Sequence, residues 1–143
     1  MYQSGYSTLR HILFRLDPEI AHNISICLLA AAPKLKPVRR WLTDFFDYND
    51  SRLATSVFGL RFVNPVGVAA GYDKNAIAID GLGTLGVGHV EVGTITPKAQ
   101  YGNQRPRIFR LPEDNALINC MGFPNHGMEK VAPRLETDRS IRL

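Results

Sequence analysis

The chain has 143 residues, of which 45% are hydrophobic and 21% charged, and these values are typical of a globular protein with a packed core. They exclude a disordered chain, and a net charge of +4 without interleaved aromatic and basic residues does not indicate nucleic acid binding. The two cysteines and four histidines are scattered along the sequence, so we expect neither a disulfide framework nor a metal site.

Helices are predicted for residues 1–46, which form the first of two units. The first helix carries apolar residues at helical spacing. Asp17 is predicted to cap the second, with Pro18 at its first position, and a third is expected from about Pro37 to Phe46. The helices either pack against the rest of the chain or rest as an amphipathic surface on an anionic membrane. The basic residues near their edges are Arg10, Arg15, Lys34, Lys36, Arg39 and Arg40.

Strands and short helices are predicted for the second unit, residues 47–143, which begins with a polar turn. The expected elements are a hairpin from Val57 to Val63, a strand from Val66 to Ala70, a helix from Asn75 to Leu85, a strand from His89 to Gly93 and a helix from about Met128 to Leu135. The first of the two single strands is an unbroken apolar run, as buried parallel strands are. Strand, helix and strand then make one βαβ unit within about 30 residues.

A candidate ligand site follows the first single strand, where Asp73 and Lys74 come directly after Gly71. The next strand ends at the same level in a run of small and hydroxyl residues that includes Thr94. In α/β folds ligands bind at the carboxyl ends of the strands, and lysine suits an anionic ligand. The arrangement predicts a site for a polar planar ligand or a phosphate; the alternative is a solvated turn.

Three further segments contain glycines and have features of ligand loops. Gly81, Gly83 and Gly86 match GxGxxG, but they close a helix instead of opening one, so a dinucleotide site is rejected. The segment from Pro97 to Pro106 is long enough to cover a site. The segment from Asn119 to Gly127 has amides and glycines that suit a ligand, unless it is only a loop capped by Asn125 before the last helix.

Four segments together resemble a known family. LDPEIAH, NPVGVAAGYDKN, EVGTITPKAQYGNQRPRIFRL and INCMGFPNHG occur in the order found in dihydroorotate dehydrogenases. More narrowly, they resemble the quinone-dependent, membrane-associated class, because the helical LDPE-AH element is absent from the soluble classes. The resemblance extends from about residue 5 to the end of the chain.

The resemblance implies an α/β fold, an incomplete (β/α)8 barrel of its first strands and helices, preceded by the small N-terminal helical unit. Residues 1–46 would form a quinone tunnel and contact the membrane, and residues 47–143 would be the first part of a barrel that binds FMN. The family oxidises dihydroorotate to orotate in pyrimidine biosynthesis and passes the electrons to ubiquinone or another membrane quinone. It would lie on the cytoplasmic face of a bacterial inner membrane, or on the mitochondrial inner membrane in a eukaryote.

Residue roles follow from the same resemblance. The residues expected against FMN are Ala70, Gly71, Tyr72, Asp73, Lys74 and Thr94. Those expected to contact the substrate are Lys74, Asn119, Met121, Gly122 and Phe123, with Asn119 hydrogen-bonded to the pyrimidine ring. No catalytic residue is identified, because the serine base of this class would lie beyond residue 143. Cys120 and Pro124 depart from the family, which usually has arginine and asparagine there.

Length suggests a fragment, since a (β/α)8 barrel takes about 250 residues. We therefore expect the 143-residue chain to be inactive or incomplete by itself. Two alternatives stay open: a soluble-class dihydroorotate dehydrogenase that uses fumarate or NAD, and a truncated, non-catalytic product that acts only as a helical module on membrane surfaces.

Overall fold

The computed structural model describes residues 9–48 and 50–136, so the parts of the predicted units at residues 1–8, 49 and 137–143 lie outside it. Residues 9–13 are helical, followed by helix α1 (Pro18–Ala31), a 3₁₀ turn and helix α2 (Lys36–Phe46). The predicted cap is confirmed, because the Asp17 carboxylate accepts hydrogen bonds from the N–H groups of Glu19 at 2.9 Å and Ile20 at 3.1 Å. Pro18 is the first residue of α1 and Pro37 the second residue of α2, and both fit the first turn of a helix, where no N–H partner is needed.

The N-terminal helices bury one face and expose another. Ile26 of α1 is buried, and α1 lies so close to residue 81 that a side chain at Gly81 would overlap the Leu29 carbonyl. Leu28 of α1 and Trp41 of α2 are 65% and 61% exposed. Part of the apolar surface of these helices therefore packs against the rest of the chain, and part is exposed. No helix in the described ranges has both the length and the apolarity that a transmembrane span requires.

The βαβ unit is confirmed. An antiparallel hairpin, β1 (Thr55–Val57) with β2 (Leu60–Phe62), precedes it as predicted. Strand β3 (Gly67–Val68) then pairs in parallel with β4 (His89–Val90), and helix α3 (Ile79–Gly83) connects them. The GxGxxG match lies at the end of this helix and leads into β4. A dinucleotide site would need these glycines at the start of a helix, so its rejection is confirmed.

These elements are shorter than predicted, for local reasons. The expected buried strand from Val66 to Ala70 has two paired residues, and Val66 is exposed, because within the described residues β3 pairs only with β4. The expected helix from Asn75 begins at Ile79, because the Asp73 carboxylate binds the amides of residues 75, 77 and 78 and holds them in a turn. The second strand ends before Gly93, whose φ of +117° is outside the strand region.

A second hairpin was not predicted. Strand β5 (Ile108–Leu111) pairs antiparallel with β6 (Ala116–Asn119), and this register sets Ile108 opposite Asn119. The hairpin therefore carries Asn119 at its open end, at the start of the 119–127 segment. Helix α4 (Met128–Leu135) follows as predicted, and its Val131 packs with Ala76 and Ile79 in a small core.

Candidate functional site

The edge of the parallel pair exposes backbone at Gly71. Its N–H donates to the Gly93 carbonyl at 2.9 Å, so the segments leaving β3 and β4 stay side by side. Gly71 has a φ of +102°, and a side chain built on it would meet no atom within 4 Å. The chain thus offers an open backbone surface at the position where the sequence predicts a ligand.

The Asp73 carboxylate fixes the turn that follows β3 through hydrogen bonds to its backbone. The side chain is only 2% exposed, and its oxygens accept from the N–H groups of Asn75 at 3.3 Å, Ile77 at 3.0 Å and Ala78 at 2.6 Å. The alternative of a solvated turn is therefore wrong for Asp73, because three backbone donors replace water around its carboxylate. These bonds fix the turn that carries Lys74.

Replacing Asp73 by asparagine tests this function of the carboxylate. We expect Asp73→Asn to lower the free energy of unfolding by about 1–3 kcal/mol, since an amide keeps one acceptor and adds donors that face other donors. Chemical denaturation measures the change, with Asp44→Asn as control, because Asp44 forms an exposed ion pair with Arg40. Equal effects of the two substitutions would contradict the proposed organising function.

Lys74 is a partly desolvated cation. Its side chain is half-buried, and Nζ donates to the Gly71 carbonyl at 2.9 Å. The pKa of Lys74 is lowered, mainly by burial and to a smaller extent by the positive charge of Arg107. The negative charge of Glu19 raises this pKa, but does not outweigh the other two effects. An ammonium with few water molecules interacts strongly with an anion placed beside it.

An open cavity of about 440 Å³ lies next to Lys74. It brings together five of the predicted site residues from two segments of the chain: Gly71, Lys74, Asn119, Met121 and Gly122. The other lining residues are Pro18, His22, Ile108, Arg110 and Leu117. The first part of α1 and both strands of the second hairpin therefore form walls of the same cavity.

The remaining predicted residues lie outside that lining. Tyr72 and Asp73 line an adjoining cavity of about 240 Å³, together with His22. Ala70, Thr94 and Phe123 are exposed and line neither cavity. Cys120 is exposed; its N–H donates to the Arg107 carbonyl, and its carbonyl accepts from the Asn103 side chain.

Two residues were missed as site residues. The His22 ring packs edge-to-face on the Tyr72 ring, with 5.1 Å between the ring centroids. Burial lowers the pKa of His22, and the positive charge of Lys74 lowers it further. Arg110 donates to the Leu16 carbonyl at 2.7 Å and lies over the Phe14 ring at 4.6 Å. The LDPE-AH segment contained His22, but nothing local in the sequence indicated that α1 would reach the site.

The segment 97–106 contacts the segment 119–127, but none of its residues lines either cavity. Gln100 and Asn125 exchange backbone hydrogen bonds at 3.0 and 2.9 Å. The alternative that Asn125 caps the last helix is wrong: the N-cap is Gly127 without a side-chain cap, and the Asn125 oxygen accepts from Thr96 and Gly127. Asn125 thereby fixes the two segments to each other.

Metal ligands do not cluster in the described part of the chain, where no three His, Cys, Asp or Glu side chains could hold one ion.

A family model described as dihydroorotate dehydrogenase matches residues 52–142. The chain belongs to the dihydroorotate dehydrogenase family. Among curated proteins, a dihydroorotate dehydrogenase (quinone) of a Roseiflexus species is 50% identical over 137 residues, which are 96% of this chain and 38% of that protein. The corresponding protein of Pseudomonas aeruginosa is 51% identical over 130 residues, or 91% of this chain and 36% of the relative.

A solved structure leads to the same family. The dihydroorotate dehydrogenase of Eimeria tenella, in complex with ferulenol, is 45% identical and similar with a TM-score of 0.70. The match covers 84% of this chain and 30% of that one. The resemblance to the quinone-dependent class is confirmed by the relatives, and the chain spans less than two fifths of the length of the relatives described.

Proposed function

We propose that a full-length enzyme containing this chain oxidises dihydroorotate to orotate with FMN and a quinone acceptor, in pyrimidine biosynthesis. The observation that carries the proposal is the 440 Å³ cavity, which combines Lys74, Asn119 and Gly71 with His22 and Arg110. Lys74 offers a cation and Asn119 an amide to an anionic heterocycle. Pro18 and His22 of helix α1 form another wall of the cavity. The relatives named dihydroorotate dehydrogenase (quinone) support the choice of a quinone as acceptor.

Residues 47–143 are, in this proposal, the first part of a (β/α)8 barrel, and residues 1–46 are a helical unit for quinone and membrane. The parallel β3–α3–β4 unit is the repeating element of such a barrel. A site at the carboxyl ends of β3 and β4 is where barrel enzymes have their ligands. The likeness to the Eimeria tenella structure also supports it.

FMN fits the backbone surface beside Gly71. When bound, FMN supplies the hydride acceptor. The open space at Gly71 admits a planar ring, and Lys74 is placed to stabilise negative charge on it. The buried Asp73 contributes by fixing the turn. The complete set that we propose around FMN is Ala70, Gly71, Tyr72, Asp73, Lys74 and Thr94.

Dihydroorotate would bind between Lys74 and the segment 119–127. The Lys74 ammonium suits the substrate carboxylate, and the Asn119 amide, which both donates and accepts, suits the imide edge of the ring. Met121, Gly122 and Phe123 complete the proposed pocket. Cys120 in place of arginine is compatible with this pocket, because the backbone of Cys120 carries its contacts to Arg107 and Asn103. We assign no proton acceptor to this chain.

Anaerobic mixing tests the proposed reaction. Dihydroorotate should bleach the flavin absorbance of the full-length enzyme, and decylubiquinone should restore it. Failure of dihydroorotate to bleach the flavin would refute the proposal, and reoxidation by fumarate or NAD instead of quinone would favour a soluble class. A colourless 143-residue chain that binds liposomes would favour the membrane module as the function of the isolated chain.

Peripheral contact with an anionic membrane is proposed for the exposed apolar residues of the helices. We expect the double variant Leu28→Ser, Trp41→Ser to lower the fraction of enzyme that sediments with anionic liposomes at least fivefold, because each substitution removes apolar area from the bilayer contact. The control is Tyr101→Ser, which removes an aromatic side chain that is 93% exposed outside the helices. Equal sedimentation of the two variants would contradict the proposed contact.

A further inference from the structure

A buried ion pair joins the N-terminal helix α1 to the second unit. Two donors on one edge of the Arg107 guanidinium bind the Glu19 carboxylate, Nε at 3.0 Å and Nη2 at 2.5 Å. Arg105 adds a third bond at 2.9 Å from an exposed position. Glu19 is 8% and Arg107 only 5% exposed, so both charges are largely removed from water.

The same guanidinium also holds the segment 97–106. Its Nη1 donates to the carbonyl oxygens of Tyr101 at 2.6 Å and Asn103 at 2.9 Å. Arginine can bind a carboxylate and two carbonyls at once because its donors form a planar fork. A lysine at this position would have no such geometry. Glu19 and the backbone of Asn103 are therefore connected through one rigid group.

Asn103 in turn holds the segment 119–127. Its N–H donates to the Met121 carbonyl at 3.0 Å, and its side-chain amide donates to the Cys120 carbonyl at 2.7 Å. On the other side, the Cys120 N–H donates to the Arg107 carbonyl at 2.9 Å. These bonds fix the backbone on the C-terminal side of Asn119, which lines the cavity beside Lys74.

We propose that Glu19, Arg107 and Asn103 are positioning residues, through which the docking of helix α1 sets the position of the substrate segment 119–122. The inference rests on the proposed function and deepens it, because it assigns a part in dihydroorotate binding to a glutamate in the helical unit. Glu19 contacts neither substrate nor flavin in this scheme. Loss of the carboxylate frees the Arg107 fork to reorient, and the segments 97–106 and 119–122 then shift relative to Lys74.

A double-mutant cycle on Glu19→Gln and Asn103→Ala tests the connection. Stopped-flow flavin reduction without quinone gives both the apparent dissociation constant of dihydroorotate and the limiting rate. We expect each single variant to weaken substrate binding about tenfold, with the limiting rate and FMN content close to wild type. The double variant should be about as weak as either single variant, because both substitutions break the same connection.

Matched controls separate positioning from folding. Asp44→Asn removes the same charge from an exposed ion pair in the helical unit and should leave substrate binding unchanged. Glu19→Asp keeps the charge but shortens the side chain, and should weaken binding less than Glu19→Gln while folding as wild type. Hydrogen exchange at residues 120–122 should be faster in both Glu19 variants than in wild type, with or without substrate.

The outcomes distinguish the two proposals. A wild-type enzyme that dihydroorotate does not reduce would overturn the proposed function, whereas unchanged hydrogen exchange at residues 120–122 in the Glu19 variants would overturn the positioning scheme. The scheme would also be overturned if Glu19→Gln bound substrate like wild type, or if the effects of Glu19→Gln and Asn103→Ala multiplied as independent changes do.

Discussion

Replacing Lys74 by alanine in the full-length enzyme is expected to slow flavin reduction at saturating dihydroorotate at least tenfold, or by about 1.4 kcal/mol of activation free energy. The reason is that Lys74 is a partly buried cation beside the proposed flavin and substrate positions, where negative charge develops. Stopped-flow absorbance measures the rate. Lys98→Ala is the matched control, because Lys98 is an exposed lysine that does not line the cavity beside Lys74.

The pH dependence of the same reaction tests the protonation state of Lys74. The charged form is the one expected to act, and burial lowers the pKa of this lysine from its ordinary value of 10.5. As pH rises through the lowered pKa the ammonium loses its proton, so the contribution of Lys74 should disappear below the usual lysine range. Lys74→Arg should remove this alkaline loss, because a guanidinium stays protonated there. A rate that Lys74→Ala leaves at the wild-type value would contradict the role of Lys74.

Local features of the fold were predictable because neighbouring residues determine them. Asp17 followed by Pro18 specifies a helix start through a side-chain bond within three residues. The parallel pair of β3 and β4 followed from two apolar runs around a helix. The β5–β6 hairpin was not predicted, although Pro112 and Asn115 bound its turn.

The candidate site was predictable in part. Asp73 and Lys74 could be found from their place after a strand, but the charge on Asp73 was expected to face a ligand, whereas backbone amides take it up. The contact between Glu19 and Arg107 joins residues 88 positions apart, and no periodicity or spacing rule indicates such a pair. Burial decides its importance, since an exposed pair of the same type contributes little.

The close packing around Arg107 could not be predicted from the sequence either. Gly102 and Gly59 both occur in segments that the sequence predicts as turns or loops. Their backbones are alike, with φ of +75° and +78°. Their surroundings differ: a side chain at Gly102 would overlap the Met121 carbonyl and the Arg107 guanidinium, whereas nothing lies within 4 Å at Gly59. The pair therefore allows the cost of the backbone conformation to be separated from the cost of the contact.

Gly102→Ala is expected to destabilise the full-length enzyme more than Gly59→Ala. Both substitutions place alanine in the left-handed region, at a cost of roughly 1–2 kcal/mol. Only Gly102→Ala adds steric overlap, which should cost about 1–3 kcal/mol more. Because the overlap falls on Met121 and Arg107, Gly102→Ala should also weaken dihydroorotate binding at least fivefold, whereas Gly59→Ala should not. Chemical denaturation and stopped-flow flavin reduction measure the two effects. Equal stabilities and equal substrate affinities of the two variants would show that the segments 97–106 and 119–127 do not depend on this contact.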